Sequence, residues 1–203
     1  HPADCRTNLM GKYGGCKLMC GIVAYVGAGE AAPVLLEGLE RLEYRGYDSA
    51  GLAIQNGMGI EIRRVAGRIE GLNQAGLEQP VSGSSGIAHT RWATHGPPTE
   101  ANAHPHIDTA GRIAVVHNGI IENADQLREQ LRRRGHEFRS DTDSEVLAHL
   151  IAEQKDPPLQ LAVARALKLI EGTFGIAVLS ADEPGQIVCA RRGSPLMIGL
   201  GRG

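Results

Sequence analysis

The sequence predicts an α+β fold, with two mostly antiparallel sheets covered by helices. Three observations carry this prediction. Strand-like and helix-like segments both recur, but not in strict strand–helix–strand alternation. Too many strand segments follow one another directly for a purely parallel sheet, whose strands need long crossovers. Hydrophobic residues make up 42% of the chain and aromatic residues only 3%, so an aliphatic core must be built from short apolar runs.

The 203 residues suffice for one domain with a sizeable core. The 27 glycines, about twice the usual share, predict tight turns and places of close backbone approach. A net charge of −2 gives no general electrostatic case for nucleic acid or an anionic membrane surface. No apolar run approaches the ~20 residues of a membrane-spanning helix. The four cysteines, Cys5, Cys16, Cys20 and Cys189, show no CxxC or zinc-type spacing, so a reduced, cytoplasmic setting is the simpler reading. Residues 1–19 read as a leader: a tag, an upstream translation artefact or a removable pro-segment. They lack the apolar core of a secretory signal.

Met19 to Gly27 reads as a short buried strand, an apolar β-branched run closed by glycine. Glu30 to Arg41 reads as a helix, with Leu35, Leu39 and Leu42 at helical spacing and Glu37, Glu40 and Arg41 outside. Ser49–Gln55 and Ile60–Val65 are two strands around the turn Asn56-Gly57-Met58-Gly59. A short helix is expected over Ile69–Leu77 and a strand over Gly86–His89. Thr90 to Asp108, rich in histidine and proline, reads as a long functional loop. Ile113–Val116 is a strand run. Ile121, Leu127 and Leu131 mark a helix with a basic end at Arg132–Arg134, closed by Gly135. Asp143–Gln154 reads as a helix capped from Ser140–Ser144, and Leu161–Ile170 as another. Gly175–Ser180, Ile187–Arg191 and Leu196–Leu200 read as strands. The chain stops just after that last apolar run, which suggests truncation of a longer protein.

Chemistry concentrates at a few points. Removal of Met19 would leave Cys20 as the amino terminus, with a thiol and a free α-amine on one residue. That amine titrates at about 7.7–8.0, so it can serve as base to its own thiol without a histidine. Cys20 could equally be a small buried apolar residue. His89-Thr90-Arg91-Trp92-Ala93-Thr94-His95-Gly96 gathers a guanidinium, an indole, two hydroxyls and two imidazoles. Arginine suits two-point recognition of a carboxylate, and tryptophan can cover a site and exclude water. At His117-Asn118-Gly119, the Asn118 amide and the Gly119 N–H could supply two donors to an oxyanion. The plainer alternative there is an ordinary Asn-Gly turn. His89, His95, His104, His106 and His117 could suggest zinc or copper. They share no helical face, however, and a hydrogen-bonding or packing role is favoured over a metal.

Six stretches occur in one order: Cys20-Gly21-Ile22-Val23, Tyr44-Arg45-Gly46-Tyr47-Asp48-Ser49, His89–Gly96, Asn102–His106, His117-Asn118-Gly119 and Asp141–Glu145. In this the chain, from Cys20 to Gly203, resembles the glutaminase domain of the glutamine–fructose-6-phosphate aminotransferase family. These are class II amidotransferases among the N-terminal-nucleophile hydrolases. The resemblance implies a four-layer αββα sandwich and a domain over residues 20–203. It implies Cys20 as nucleophile attacking the amide of L-glutamine, its α-amine as base, and Asn118 and Gly119 as oxyanion hole. Arg91, Thr94, His95 and Gly119 would bind substrate, Arg91 taking the α-carboxylate, and Asp143 the α-ammonium. Arg45 and Gly46 would orient the cysteine, Trp92 would lie on the closing loop and gate ammonia transfer, and His104 would support the site. No cofactor or metal is implied. The full-length protein would be a cytoplasmic homodimer carrying a sugar-isomerase domain for fructose 6-phosphate, which this chain lacks. Rival readings are another class II amidotransferase, such as the phosphoribosyl-pyrophosphate type, and a non-catalytic glutamine-binding module if the leader is retained. A metal-binding protein built on the histidines is a third.

Overall fold

The computed structural model describes residues 20–78, 80–92, 96–154 and 158–201. The expected leader, Thr94 and His95 lie outside the described residues, as does the side chain of Arg45.

Among the described residues, eight strands and five α-helices follow in the order β1 (Gly21–Val26), α1 (Ala31–Glu40), β2 (Ser49–Asn56), β3 (Gly59–Ala66), α2 (Ile69–Glu78), β4 (Ser85–Arg91), β5 (His106–Ile107), β6 (Ile113–Ile121), α3 (Ala124–Arg133), α4 (Glu145–Ala152), α5 (Leu159–Ala166), β7 (Gly172–Ser180) and β8 (Val188–Arg192). They form two four-stranded sheets, ordered β1-β4-β2-β3 and β5-β6-β7-β8. Every paired neighbour is antiparallel.

The central strands are buried on both faces, so their residues divide by period two between different cores. On β6 and β7, Val115, Phe174, Ile176 and Val178 face α3, α4 and α5 through Leu127, Leu131, Val146, Leu150 and Val163. Their alternates Ala114, Val116, Ala177 and Leu179 meet Ala53 and Ile87 of the other sheet. On the far side of that sheet, Leu52, Ile54 and Ala88 pack on Leu35 and Leu39 of α1 and on Ile69 and Leu72 at α2. The result is four layers, helix–sheet–sheet–helix. Between the two sheets, alanines alternate with larger aliphatics such as Ile87, Val116 and Leu179. Gln55 stitches them together: its Nε2 donates to the Ser180 carbonyl, and its Oε1 accepts Ser85 Oγ at 2.8 Å.

Several expectations need correction. Leu196–Leu200 is not a strand; Met197, Ile198 and Leu200 stand exposed, and no described strand pairs with them. β-propensity alone builds nothing without a partner edge. The strand expected over Ile113–Val116 runs on to Ile121, which sets aside the alternative of a turn at Asn118-Gly119. β6 runs straight through this dipeptide, with Asn118 opposite Gly175 and Gly119 opposite Phe174. Ile121 ends that strand instead of opening a helix. The expected loop over 90–108 contains the two-residue β5. The helix expected from Asp143 starts at Glu145, and its N-cap Ser144 makes no side-chain capping bond. The preceding loop is satisfied instead by Glu145, whose carboxylate accepts the N–H groups of Arg139 and Ser140 at 2.9 and 2.8 Å.

Candidate active site

Cys20 opens β1, and the register of that strand delivers it to the end of β4. Gly21 pairs with Thr90, and the Gly21 N–H donates to Thr90 Oγ1 at 3.1 Å. A side chain at position 21 would meet the tip of Leu42 and the Thr90 hydroxyl, at 2.6 and 2.9 Å, so anything larger than glycine would have to displace both side chains. The next residue after β4 is Trp92, whose N–H donates to Cys20 Sγ at 3.1 Å.

From the other sheet comes Asn118. Its Nδ2 donates to the Cys20 carbonyl oxygen at 3.2 Å, across 98 residues of sequence. Its Oδ1 lies 2.9 Å from His89 Nε2. Gly119 follows with φ +141°, and a Cβ there would sit 2.1 Å from the Thr173 carbonyl oxygen.

Asp143 reaches the same strand. Its Oδ2 accepts the Ile121 N–H at 2.8 Å, two residues beyond Gly119. Its other oxygen accepts Ser144 Oγ at 3.2 Å, and that hydroxyl also meets His117 Nδ1 at 2.7 Å. Arg91, at the end of β4, is buried. It donates to the carbonyls of Gly96 and Pro97 at 3.3 and 3.4 Å and lies 3.8 Å from Asp48 Oδ1. Asn102 ties this loop to the one bearing Asp143: its Nδ2 donates to Pro97 O at 2.9 Å and its Oδ1 accepts the Asp141 N–H at 2.8 Å. Gly46 has φ +74° and closes a short 3₁₀ turn over Glu43–Arg45.

Burial pushes the Cys20 thiol above its ordinary value. The Trp92 N–H and the Arg91 guanidinium pull it down, and Asp48 pushes it up. A thiol that resists ionisation needs a base in contact with it, and the α-amine of a terminal cysteine would be one. The histidines form a buried group behind Asn118. His89 and His104 stack with ring centroids 4.2 Å apart, and His106 stands edge-on to His104 at 4.5 Å. Burial drives His89 to about 3 and His104 well below its ordinary value. His106 and His117 are lowered, again chiefly by burial. Among the described residues no group of three histidine, cysteine or acidic side chains is arranged to hold a metal ion.

Cys20, Arg91, Trp92, Asn118 and Gly119 are thus gathered where the ends of β1 and β4 meet β6, and Asp143 joins through Ile121. His104 supports the site at one remove, its Nδ1 accepting the His117 N–H at 3.2 Å. Two contributors escaped the sequence: Thr90, which holds the Cys20–Gly21 peptide, and Asp48, which faces Arg91; His89, expected to hydrogen-bond or pack, proves to hold Asn118. All three stand inside the motifs singled out above, but nothing in their spacing named their partners.

A family model described as a glutamine amidotransferase domain matches residues 89–200. The chain is 54% identical over 185 residues to a glutamine–fructose-6-phosphate aminotransferase (isomerizing) of Symbiobacterium thermophilum, covering 91% of this chain and 30% of that one. A protein of the same description from Thermus thermophilus is 52% identical with the same coverage. The chain therefore spans about 30% of the length of these curated relatives. Among solved structures, a glutamine phosphoribosylpyrophosphate amidotransferase from B. subtilis superposes with a TM-score of 0.70 at 28% identity, covering 84% of this chain and 36% of that one. Sequence family, four-layer architecture and a cysteine set against an asparagine amide agree: the chain belongs to the glutamine amidotransferase family.

Proposed function

We propose that this chain is the glutaminase part of a longer glutamine–fructose-6-phosphate aminotransferase. Cys20 Sγ attacks the side-chain amide carbon of glutamine, and the thiol proton passes to the α-amine of the same residue. The tetrahedral oxyanion is met by Asn118 Nδ2 and the Gly119 N–H, two neutral donors that strengthen as charge develops. Collapse expels ammonia, which takes its proton from the ammonium formed in the first step, and leaves a γ-glutamyl thioester. Water then attacks that thioester by the same route and releases glutamate and the free thiol. Arg91 takes the α-carboxylate and Asp143 the α-ammonium, so charged groups recognise the two charged ends of the amino acid. Thr94 and His95 complete the carboxylate site, Arg45 and Gly46 orient the cysteine, and Trp92 closes over it. In the longer protein the ammonia passes to fructose 6-phosphate, giving glucosamine 6-phosphate, and the setting is cytoplasmic.

The observation that carries this reading is the meeting of Cys20 with Asn118, a nucleophile with the amide that would stabilise its product. Identity of 54% to the sugar-phosphate enzyme, against 28% to the phosphoribosyl type, supports the choice of acceptor. The test uses 6-diazo-5-oxo-norleucine, an electrophile shaped like glutamine. Protein beginning at Cys20 should form one adduct at Cys20 and release glutamate from glutamine. Protein retaining residues 1–19 should do neither, because its Cys20 nitrogen is an amide. Full glutamate release with the leader attached would overturn the amine's role. Absence of the adduct from both forms would favour a glutamine-binding module.

A further inference from the structure

His89 is buried, and the reaction sequence above does not use it. Its Nε2 lies 3.1 Å from the His117 carbonyl oxygen and 2.9 Å from Asn118 Oδ1. A backbone carbonyl only accepts, so this nitrogen must carry the proton and donate to both neighbours. The Asn118 oxygen is therefore turned toward His89 and its NH2 away. The opposite end of the carboxamide agrees, since Nδ2 sits 3.2 Å from the Cys20 carbonyl, another pure acceptor. Flipping the amide would set NH2 against N–H at one end and oxygen against oxygen at the other.

The ring itself is held in place. It stacks on His104 with planes 18° apart. His104 in turn accepts the N–H of His117, the residue whose carbonyl receives the His89 proton. The remaining nitrogen, His89 Nδ1, is buried without a hydrogen-bond partner among the described residues. A second proton there would have no acceptor, and burial accordingly keeps the ring neutral. An asparagine carboxamide left alone turns about a broad, roughly two-fold torsion, and half of its orientations would aim oxygen at an oxyanion.

We propose that His89 is a positioning residue for the oxyanion site: its single N–H locks the Asn118 carboxamide with NH2 turned toward Cys20. This rests on the reading of Cys20 and Asn118 given above. His89 transfers no proton and touches no substrate.

The test compares His89→Leu, His89→Gln, Asn118→Ala and the double variant His89→Leu/Asn118→Ala in protein beginning at Cys20. Removing an oxyanion donor costs about 10²–10³ in kcat, so Asn118→Ala should lose that factor, and His89→Leu a part of it, from about the twofold of a freely turning amide upward. The KM for glutamine should stay within about twofold if the interaction belongs to the transition state. Gln carries an NH2 near the Nε2 position and should recover most of the activity. His89→Leu should cost nothing further once Asn118 is Ala. Alkylation of Cys20 by iodoacetamide builds no oxyanion, so its rate should be unchanged throughout. Alkylation slowed in parallel with kcat, Gln no better than Leu, or an undiminished loss in the double variant would each overturn the proposal. If Asn118→Ala keeps full kcat, the oxyanion reading fails. If Asn118→Ala loses the expected factor and His89→Leu loses none, only the role of His89 fails. Should His89→Leu not fold, His89→Asn replaces it, because its shorter amide places NH2 nearer the Nδ1 position.

Discussion

Lowering the pH from 7.5 to 5.5 should strip this protein of a large part of its stability, and the buried histidines supply the reason. His89, His104 and His106 are buried and lowered chiefly by that burial, His89 to about 3. Arg91 faces His89 and His104, and Arg64 lies toward His106; both oppose a further positive charge, while Glu145 alone favours one at His106. The unfolded chain binds protons at the ordinary histidine value, about 6.5. The folded rings therefore hold fewer protons than the unfolded ones between about 6.5 and 3. Stability is full above that window and falls as pH drops through it. At pH 5.5 each unfolded ring is roughly nine-tenths protonated, and the step from 7.5 costs about 1.3 kcal/mol per ring. Three rings cost roughly 4 kcal/mol, a large share of the 5–15 kcal/mol typical of a domain. Urea unfolding at both values, with proton uptake on unfolding at pH 5.5, measures this directly. About three protons should be taken up. Equal stability at the two values, or uptake below about one proton, would refute the argument that these rings are neutral and dry.

Three other outcomes follow from the same geometry. Gly119→Ala should destabilise the protein by several kcal/mol in thermal unfolding, since its Cβ would meet the Thr173 carbonyl at 2.1 Å in a conformation side chains avoid. Glu145→Gln should cost roughly 3 kcal/mol, because three hydrogen bonds from Arg139 and Ser140 lose their charged acceptor. Burial alone would raise the Glu145 value, but its hydrogen bonds outweigh that and lower it. Its contribution is thus full above the ordinary carboxylate range and lost below it, and the Gln variant should show a shallower acid transition. Asp143→Asn should raise the KM for glutamine far more than it lowers kcat in a glutamate-release assay, if the carboxylate pairs with the substrate ammonium.

Much of the architecture could be read in the chain. Apolar runs such as Ile113–Val116 and Gly175–Ser180 announced strands, and the two pair with each other. Leucine spacing located α1 and α3 to within a residue or two at most ends. The failures came where local preference met a distant partner, or lacked one. Asn118-Gly119 has the composition of a turn, but β7 continues to pair with it, and the ladder that runs on at both ends outweighs the dipeptide. Leu196–Leu200 has strand composition and no edge to join. Ser144 looks like a cap, but its hydroxyl is taken by His117 and Asp143.

The amino-acid sequence by itself determined the kinds of chemistry present: a cysteine able to become a terminus, an arginine suited to a carboxylate, an amide suited to an oxyanion; the aspartate at 143 was singled out only by the family resemblance. It did so because side-chain type and short motifs are local properties. Only the tertiary structure decided which groups meet and how they point. Cys20 and Asn118 approach across 98 residues through the packing of two sheets, and the amide's orientation depends on one histidine proton. Neither a distance between strands of different sheets nor the direction of a carboxamide is encoded by neighbours in the chain; both emerge when the layers close.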